Sequence, residues 1–326
     1  MMKKNIVFMG TSEFSVEVMR SLLKAGCEMK AVYTRPDSAG GRGQKLLVSP
    51  VKKAALDSSL PLRQPETLRN AEEPEYLKVL NPDAIIVAAY GLILPKEVLE
   101  LPPFGCVNVH PSLLPRHRGP SPIPAAILAG DEETGVSIML LDRGVDTGPV
   151  LGQERLPIGN EDTTETLTRR LAELGGSLLL SVLPDWFEGK IAPVSQDRLA
   201  GQRGATYSAI IKKEDGEISW NSASAREIWL KVRAFYPWPG CHTRWKGKIL
   251  KILRAELLEG VQQLDGPGKV VEISPEEGPP RKVIGVAAKE GVVGLETVQY
   301  EGGRPMSAGE FARGHRDFVG SLLPQR

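Results

Sequence analysis

The sequence predicts an α/β protein, a Rossmann-like parallel sheet followed by a small antiparallel β-barrel. Three observations predict it. Strand-like and helix-like stretches alternate through the first 150 residues. Beyond about residue 190 the helical signals thin out, and short Val/Ile runs recur between Gly and Pro. The length of 326 residues exceeds the usual size of one domain.

Asn5 to Met9 reads as a short buried strand, and Ser15 to Ala25 places Val16, Met19 and Leu23 at helical spacing before Gly26, a suitable cap. Met29 to Tyr33 is a second strand, Pro74 to Leu80 a helix, and Ala84 to Ala89 a third strand that is apolar throughout. Cys106 to Val109 and Val136 to Leu141 supply two more strands. Thr163 to Trp186 is a long helical stretch with Gly175 and Gly176 as its weak point. A helix from Ala223 to Ala234 then precedes strands at Lys248 to Leu253, Gly268 to Ile273, Lys282 to Ala288 and Val292 to Val298. The expected domains are residues 1–189 and 207–326, with a linker at 190–206. The sequence shows neither an internal repeat nor a low-complexity tract.

Composition excludes several classes. With 41% hydrophobic and 25% charged residues, and no run near the roughly eighteen apolar residues of a membrane span, an integral membrane protein is not expected. MMKKNIVFMG reads as a first strand of a cytoplasmic protein rather than a secretion signal. Cys27, Cys106 and Cys241 have no CxxC spacing, and His110, His117, His242 and His315 are the only histidines, so neither a disulfide framework nor a metal site is expected. The formal charge of +1 argues against a dedicated nucleic-acid binder. Locally, however, Arg226, Lys231, Arg233, Arg244, Lys246, Lys248, Lys251 and Arg254 face the single acid Glu227.

Gly10 to Phe14 lies where a dinucleotide fold carries its glycine fingerprint, but only one glycine is present, which excludes a nicotinamide cofactor. The stretch Arg35 to Pro50 is long and glycine-rich, and its Arg35, Arg42 and Lys45 favour an anionic ligand. In Cys106 to His110, Asn108 and His110 share one face at the carboxyl end of a strand, the place where open α/β sheets bind ligands. Asp142-Arg143-Gly144-Val145-Asp146-Thr147-Gly148 follows another strand as a tight loop with two carboxylates, and lacks the remaining positions of a calcium loop. A carboxylate beside His110 would orient the ring and favour its protonated form. An amide to hold an oxyanion, with His and Asp to move protons, suits direct acyl transfer to an amine. Cys106, the rival nucleophile, is read as core.

These residues resemble the folate-dependent formyltransferases. The resemblance rests on Asn108-Val109-His110, then Pro111-Ser112-Leu113-Leu114-Pro115, and on the loop from Asp142 to Gly148. FMGTSEFS near the start, Gly41-Arg42-Gly43, Ala89 to Pro95 and Arg116-His117-Arg118-Gly119 extend it over nearly the whole chain. The basic loop and the tail favour the branch whose acceptor is initiator methionyl-tRNA. The resemblance implies a Rossmann-like formyltransferase domain and an OB-like tRNA-binding domain. It implies 10-formyltetrahydrofolate as donor, no metal, and direct attack through a tetrahedral intermediate, for translation initiation. An amino sugar on a nucleotide is the alternative acceptor. Asn108 would bind the oxyanion, His110 would act as acid or electrostatic stabiliser, and Asp146 would hold His110 charged or relay a proton. Phe14, Tyr90, Gly91, Leu92, Ser112, Leu113, Leu114, Pro115 and Asp142 would border the folate. Arg35, Gly41, Arg42, Gly43, Lys45, Lys246 and Lys248 would contact tRNA. A monomer without membrane attachment is expected. The chain departs from the family at His117, where relatives often carry an aromatic residue, and at Pro120-Ser121, where small residues are common; both departures bear only on the shape of the pocket rim.

Overall fold

Ile6, Val7, Phe8 and Met9 are wholly buried in β1 (Asn5–Gly10), the pattern of a parallel strand covered on both faces. The computed structural model describes residues 4–40, 45–200, 204–258, 261, 266–274 and 282–324. The chain divides into one unit of Met1–Ile123, Glu132–Ile158 and Thr166–Ala209 and another of Pro124–Asp131, Gly159–Glu165 and Ile210–Arg326.

After β1 come α1 (Glu13–Lys24), β2 (Glu28–Tyr33), β3 (Ser38–Gly40), β4 (Lys45–Leu47), α2 (Pro50–Asp57), β5 (Leu62–Arg63) and α3 (Glu72–Leu80). Then follow β6 (Ala84–Ala88), α4 (Lys96–Leu99), β7 (Cys106–His110), α5 (Pro122–Leu128), β8 (Glu133–Leu140), β9 (Val150–Pro157), α6 (Thr164–Phe187) and α7 (Gln196–Leu199). The main sheet has the order β5-β2-β1-β6-β7-β8-β9. Strands β5, β2, β1, β6 and β7 are parallel, whereas β8 is antiparallel to β7 and β9 to β8. The parallel sheet expected from sequence therefore carries an antiparallel edge. The connection from β8 to β9 is too short for a crossover, so it can only reverse the chain.

The chain leaves β1 towards β2 and returns on the other side of β1 at β6, with Gly10 beside Ala88. This is the switch point at which open sheets form a crevice beyond their carboxyl ends, and His110 ends the next strand, β7. Helix α6 runs unbroken through Gly175 and Gly176. A Cβ at Gly175 would come 2.8 Å from Val109 Cγ1, and one at Gly176 would strike Ser21. The pair is a close-packing surface rather than the weak point its sequence implies.

The second unit contains α8 (Ala225–Ala234), β10 (Cys241–Trp245), β11 (Lys248–Leu258), β12 (Val270–Ile273), β13 (Val283–Ala287), β14 (Val292–Tyr300), β15 (Met306–Ser307) and α9 (Ala308–Gly314). Its antiparallel sheet runs β10-β11-β14-β13-β12, with β15 on β14. A two-residue turn at Lys246-Gly247, both left-handed, joins β10 to β11. Trp220 is wholly buried and its indole N–H donates to Thr243 Oγ1 at 3.2 Å.

The β11 register slips between Ile252 and Arg254: Lys251 faces Gln299, Ile252 faces Val298 and Arg254 faces Thr297. Three residues beyond Lys251, Arg254 would ordinarily point to the opposite face. The bulge at Leu253 keeps both cations on one face.

Candidate active site

All five residues of β7 are buried, but their side chains have different company. Val107 and Val109 are fully enclosed, and Cys106 Sγ lies 3.6 Å from Val98 O, its thiol pushed up to about 12 by burial. Cys106 is thus core, and no thiolate forms there near neutral pH. Asn108 is 8% exposed, and its carboxamide makes no hydrogen bond to a described residue. Buried amides are normally paired. An open one, two residues from a buried imidazole, has a donor available to a ligand.

His110 is held on both sides. Its Nε2 lies 3.1 Å from the His117 carbonyl, and its Nδ1 lies 3.7 Å from Asp146 Oδ2. A carbonyl only accepts, so Nε2 carries the hydrogen and Nδ1 is the site that gains or loses a proton. Asp146 Oδ2 also accepts from the Gly119 N–H at 2.8 Å, which fixes the carboxylate beside Nδ1. Burial pushes the His110 pKa below its ordinary value and outweighs the opposing pull of Asp146 and of the His117 carbonyl. The ring is therefore neutral near pH 7, with a basic Nδ1 facing a carboxylate. Of the two roles expected for Asp146, holding His110 charged or relaying a proton, this resting state suits the second; the enclosure of the ring is not visible in the residue types. His117, read from sequence as pocket rim, also meets the imidazole through its backbone carbonyl.

The residues expected to border a folate fall into distinct situations. Phe14 and Tyr90 are buried, at 3% and 2% exposure, so neither ring offers a large open face. Tyr90 O accepts from Thr11 Oγ1 at 2.8 Å, while Gly91 is exposed and Leu92 half-buried. Ser112 is fully buried and its hydroxyl donates to Arg116 O at 2.6 Å, so that hydroxyl serves the turn itself. Leu114 and Pro115 are buried and Leu113 half-buried. Their turn is tied to β8 and β9 by Ser137, which donates to Ser112 O and accepts from Leu114 N–H, and by Gln153, which donates to Leu114 O. Asp142 is exposed: Oδ1 accepts from Gly144 N–H and Thr147 Oγ1, and Oδ2 has no partner among the described residues. Sequence reasoning missed Ser137 and Gln153, which carry no motif.

Of the expected tRNA-contacting residues, Gly41, Arg42 and Gly43 lie outside the described residues, and only the backbone of Lys45 is described. Arg35 is exposed, its side chain lies over Gly91, and it makes no ion pair with a described residue. In the second unit Lys246 is paired with Asp317, and Lys248 Nζ lies 5.8 Å from the Tyr300 ring centroid. Arg233 is buried and donates to the carbonyls of Asp162 and Gly159, and Lys231 donates to Glu217 O. Arg244, Lys251 and Arg254 are all exposed and make no ion pair with a described residue. Arg244 faces Ile249 and Lys251 faces His242 across the hairpin, so they share the face that the bulge extends to Arg254.

Among the described residues no cluster of His, Cys, Asp and Glu could hold a metal ion, and no helix is long and apolar enough to cross a membrane.

A sequence profile described as Formyl transferase matches residues 3–183, and one described as Formyl transferase, C-terminal domain, matches residues 210–316. The methionyl-tRNA formyltransferase of Caldanaerobacter subterraneus subsp. tengcongensis is 42% identical over 98% of this chain and 99% of its own. That of Dehalococcoides mccartyi is 43% identical over 98% of each chain. The fold is shared with an N-formyltransferase from Helicobacter canadensis solved with folinic acid and dTDP-3-aminofucose. That match has a TM-score of 0.62 at 19% identity, over 92% of this chain and 100% of that one. HypX from Aquifex aeolicus with tetrahydrofolic acid shares it too, with a TM-score of 0.61 at 16% identity, over 99% of this chain and 51% of that one. With both profiles matched in order and full-length relatives above 40% identity, the chain belongs to the formyl transferase family, in its methionyl-tRNA formyltransferase branch.

Proposed function

We propose that the chain transfers the formyl group of 10-formyltetrahydrofolate to the free amino group of methionyl-initiator tRNA, as a monomer in the cytoplasm. The observation that carries this reading is the Asn108 amide, unpartnered among the described residues, beside the His110–Asp146 pair at the carboxyl end of β7. The donor set fits a folate carrier: an amide free to donate, a proton acceptor at Nδ1, and a thiol at Cys106 too buried to ionise and form an acyl-enzyme. Residues 1–189 act as the catalytic domain and 207–326 as the tRNA-binding domain.

Folate supplies the formyl carbon, and the chain's side chains manage charge and protons around it. As the amine nitrogen adds to that carbon, the Asn108 amide donates to the oxygen on which negative charge develops. His110 Nδ1 takes the proton the nitrogen sheds, and the Asp146 carboxylate stabilises the imidazolium so formed. The same proton passes to the departing folate nitrogen as its bond to carbon breaks, which returns the ring to its neutral form. Phe14, the Tyr90-Gly91-Leu92 segment, the Ser112 to Pro115 turn and Asp142 border the folate. Arg35 and the loop around Arg42 and Lys45 meet the tRNA acceptor end, and the Arg244, Lys251 and Arg254 face meets its phosphates.

Incubation with formyl-labelled folate and either methionyl-initiator tRNA or a nucleotide-linked amino sugar tests the reading. Label on the methionyl amine supports it. Label on the sugar alone moves the chain to the other acceptor class.

A further inference from the structure

The polypeptide between the two profile matches, residues 184–209, contains a side chain that binds both halves of the reacting pair's surroundings. Val194 and Val150 exchange two backbone hydrogen bonds of 2.8 Å, which pins this stretch to the start of β9. Two residues later Gln196, 2% exposed, opens α7. Its Nε2 donates to Asp146 O at 2.8 Å and Gly148 O at 2.7 Å, and its Oε1 accepts from Arg118 Nε at 3.0 Å and Nη2 at 2.8 Å. Carbonyls only accept and guanidinium only donates, so the amide has one possible orientation, and all four of its hydrogen-bonding positions are filled.

We propose that Gln196 is a positioning residue for formyl transfer, the brace that sets the distance between His110 and Asp146. This rests on the roles proposed for those two residues in the reaction. Arg118 sits between the two backbone groups that hold the pair: the His117 carbonyl on His110 Nε2 and the Gly119 N–H on Asp146 Oδ2. Gln196 ties Arg118 to the backbone of Asp146 itself. These bonds close a ring through His110, His117, Arg118, Gln196 and Asp146. Two members of that ring, His117 at φ +56° and Asp146 at φ +52°, hold left-handed conformations that are uncommon for non-glycine residues, and the bonds of the ring help to hold them there.

A second contact holds the same loop from its other side. Thr206 Oγ1 accepts from His117 N–H at 2.8 Å, Thr206 O accepts from Arg118 N–H at 2.9 Å, and Ser208 N–H donates to Arg118 O at 2.7 Å. At Gly119, φ +103°, a Cβ would lie 3.0 Å from Ser208 O, so the two stretches meet closely. The segment between the matched domains is therefore part of the apparatus that aligns the proton acceptor. Its loss is felt in turnover rather than in substrate binding.

The test uses the full-length protein with Gln196→Met, which keeps the volume and removes the four hydrogen bonds. A displacement near 1 Å at a reacting centre lowers rate by roughly 10²-fold, so kcat should fall by about that factor while KM for either substrate changes less than threefold, on the order of experimental scatter. In an Asp146→Asn background the same substitution should add almost nothing, because it acts through Asp146. Thr206→Val should lower kcat in the same manner and Thr206→Ser should restore it, which keeps the idea testable if Gln196→Met does not fold. An unchanged kcat, a loss confined to KM, or equal losses in the wild-type and Asp146→Asn backgrounds would overturn the brace. The nitrogen NMR shifts of the His110 ring, followed through a pH titration, read the brace without turnover. They should move in Gln196→Met, and an unmoved titration counts against it. Wild-type protein that formylates neither acceptor would instead overturn the reaction itself, and the NMR titration still decides the brace.

Discussion

The two units use polar side chains in opposite ways. In the first, the side chains that matter are buried: His110 is 4% exposed and Asn108 8%, and the His110 ring and the Asp146 carboxylate are each held by a backbone group of the 117–119 loop. In the second, Arg244, Lys251 and Arg254 lie in the open without ion pairs to described residues, and what is fixed is only the face they share. Chemistry on one carbon needs sub-ångström placement in a site sheltered from water. Attraction to a polyanion needs charge at a surface and tolerates loose geometry. The contrast teaches that a charged residue's exposure, more than its type, decides which task it serves.

The most severe way to break this contrast is His110→Ala, which should lower kcat by roughly 10²–10⁴-fold, the span of positioned acid–base groups. Retained kcat with an unaltered pH profile would remove His110 from proton transfer. Next comes Asn108→Ala, with a loss of about 10²–10³-fold for one oxyanion donor and little change in folate affinity. An equal weakening of folate binding would instead make Asn108 a ground-state contact. The triple change of Arg244, Lys251 and Arg254 to Ala should raise KM for tRNA and flatten its salt dependence by roughly one unit of slope for each phosphate no longer neutralised. A salt slope equal to wild type would return that face to plain solvation.

Arg233→Ala sharpens the comparison from within the basic cluster. Its guanidinium is buried against the Asp162 and Gly159 carbonyls, so removal should destabilise the second unit by about 1–3 kcal/mol and leave the salt slope of tRNA binding alone. Thermal unfolding beside a salt titration separates the two effects. The smallest effect is the pH dependence of stability. Because burial holds the folded His110 pKa below its ordinary 6.5, the unfolded chain binds the extra proton first as pH falls through 6.5. Stability contributed by this residue is complete above that value and declines below it. Urea midpoints followed downward through this window should fall less steeply in His110→Asn than in wild type, and identical slopes would contradict a depressed His110.

The strands and helices of the first unit were legible because their patterns are local. Ile6 to Met9, Ala84 to Ala88 and the 164–187 helix each announce themselves by apolar runs or helical spacing. The antiparallel β9 was not, since most of Val150–Pro157 is at least partly exposed and reads as loop. Asn108 and His110 were legible as a pair because strand alternation puts i and i+2 on one face, and Asp146 because its loop repeats a family pattern. The lowered pKa of His110 was not, for burial is a property of the fold. Nothing in the residues around Gln196 or Thr206 separates a brace from a linker, because their partners are groups dozens of positions away. In the basic cluster the sequence favoured Lys246 and Lys248; the structure pairs Lys246 with Asp317, leaves Lys248 exposed, and through the Leu253 bulge groups the exposed Arg244, Lys251 and Arg254 on one face.

The irregularity in β11 has a counterpart across the ladder. Arg254 faces Thr297 and Ala255 faces Leu295, so Glu296 is passed over on β14 just as Leu253 is on β11. One surplus residue on each strand cancels the other, and the pairings of Leu250 with Tyr300 and of Leu258 with Val292 belong to one common register. Length variation at this spot should therefore come in twos. A homologue that drops both surplus positions would zip straight and still turn its arginine to water, whereas one that drops a single position must absorb the mismatch further along the hairpin.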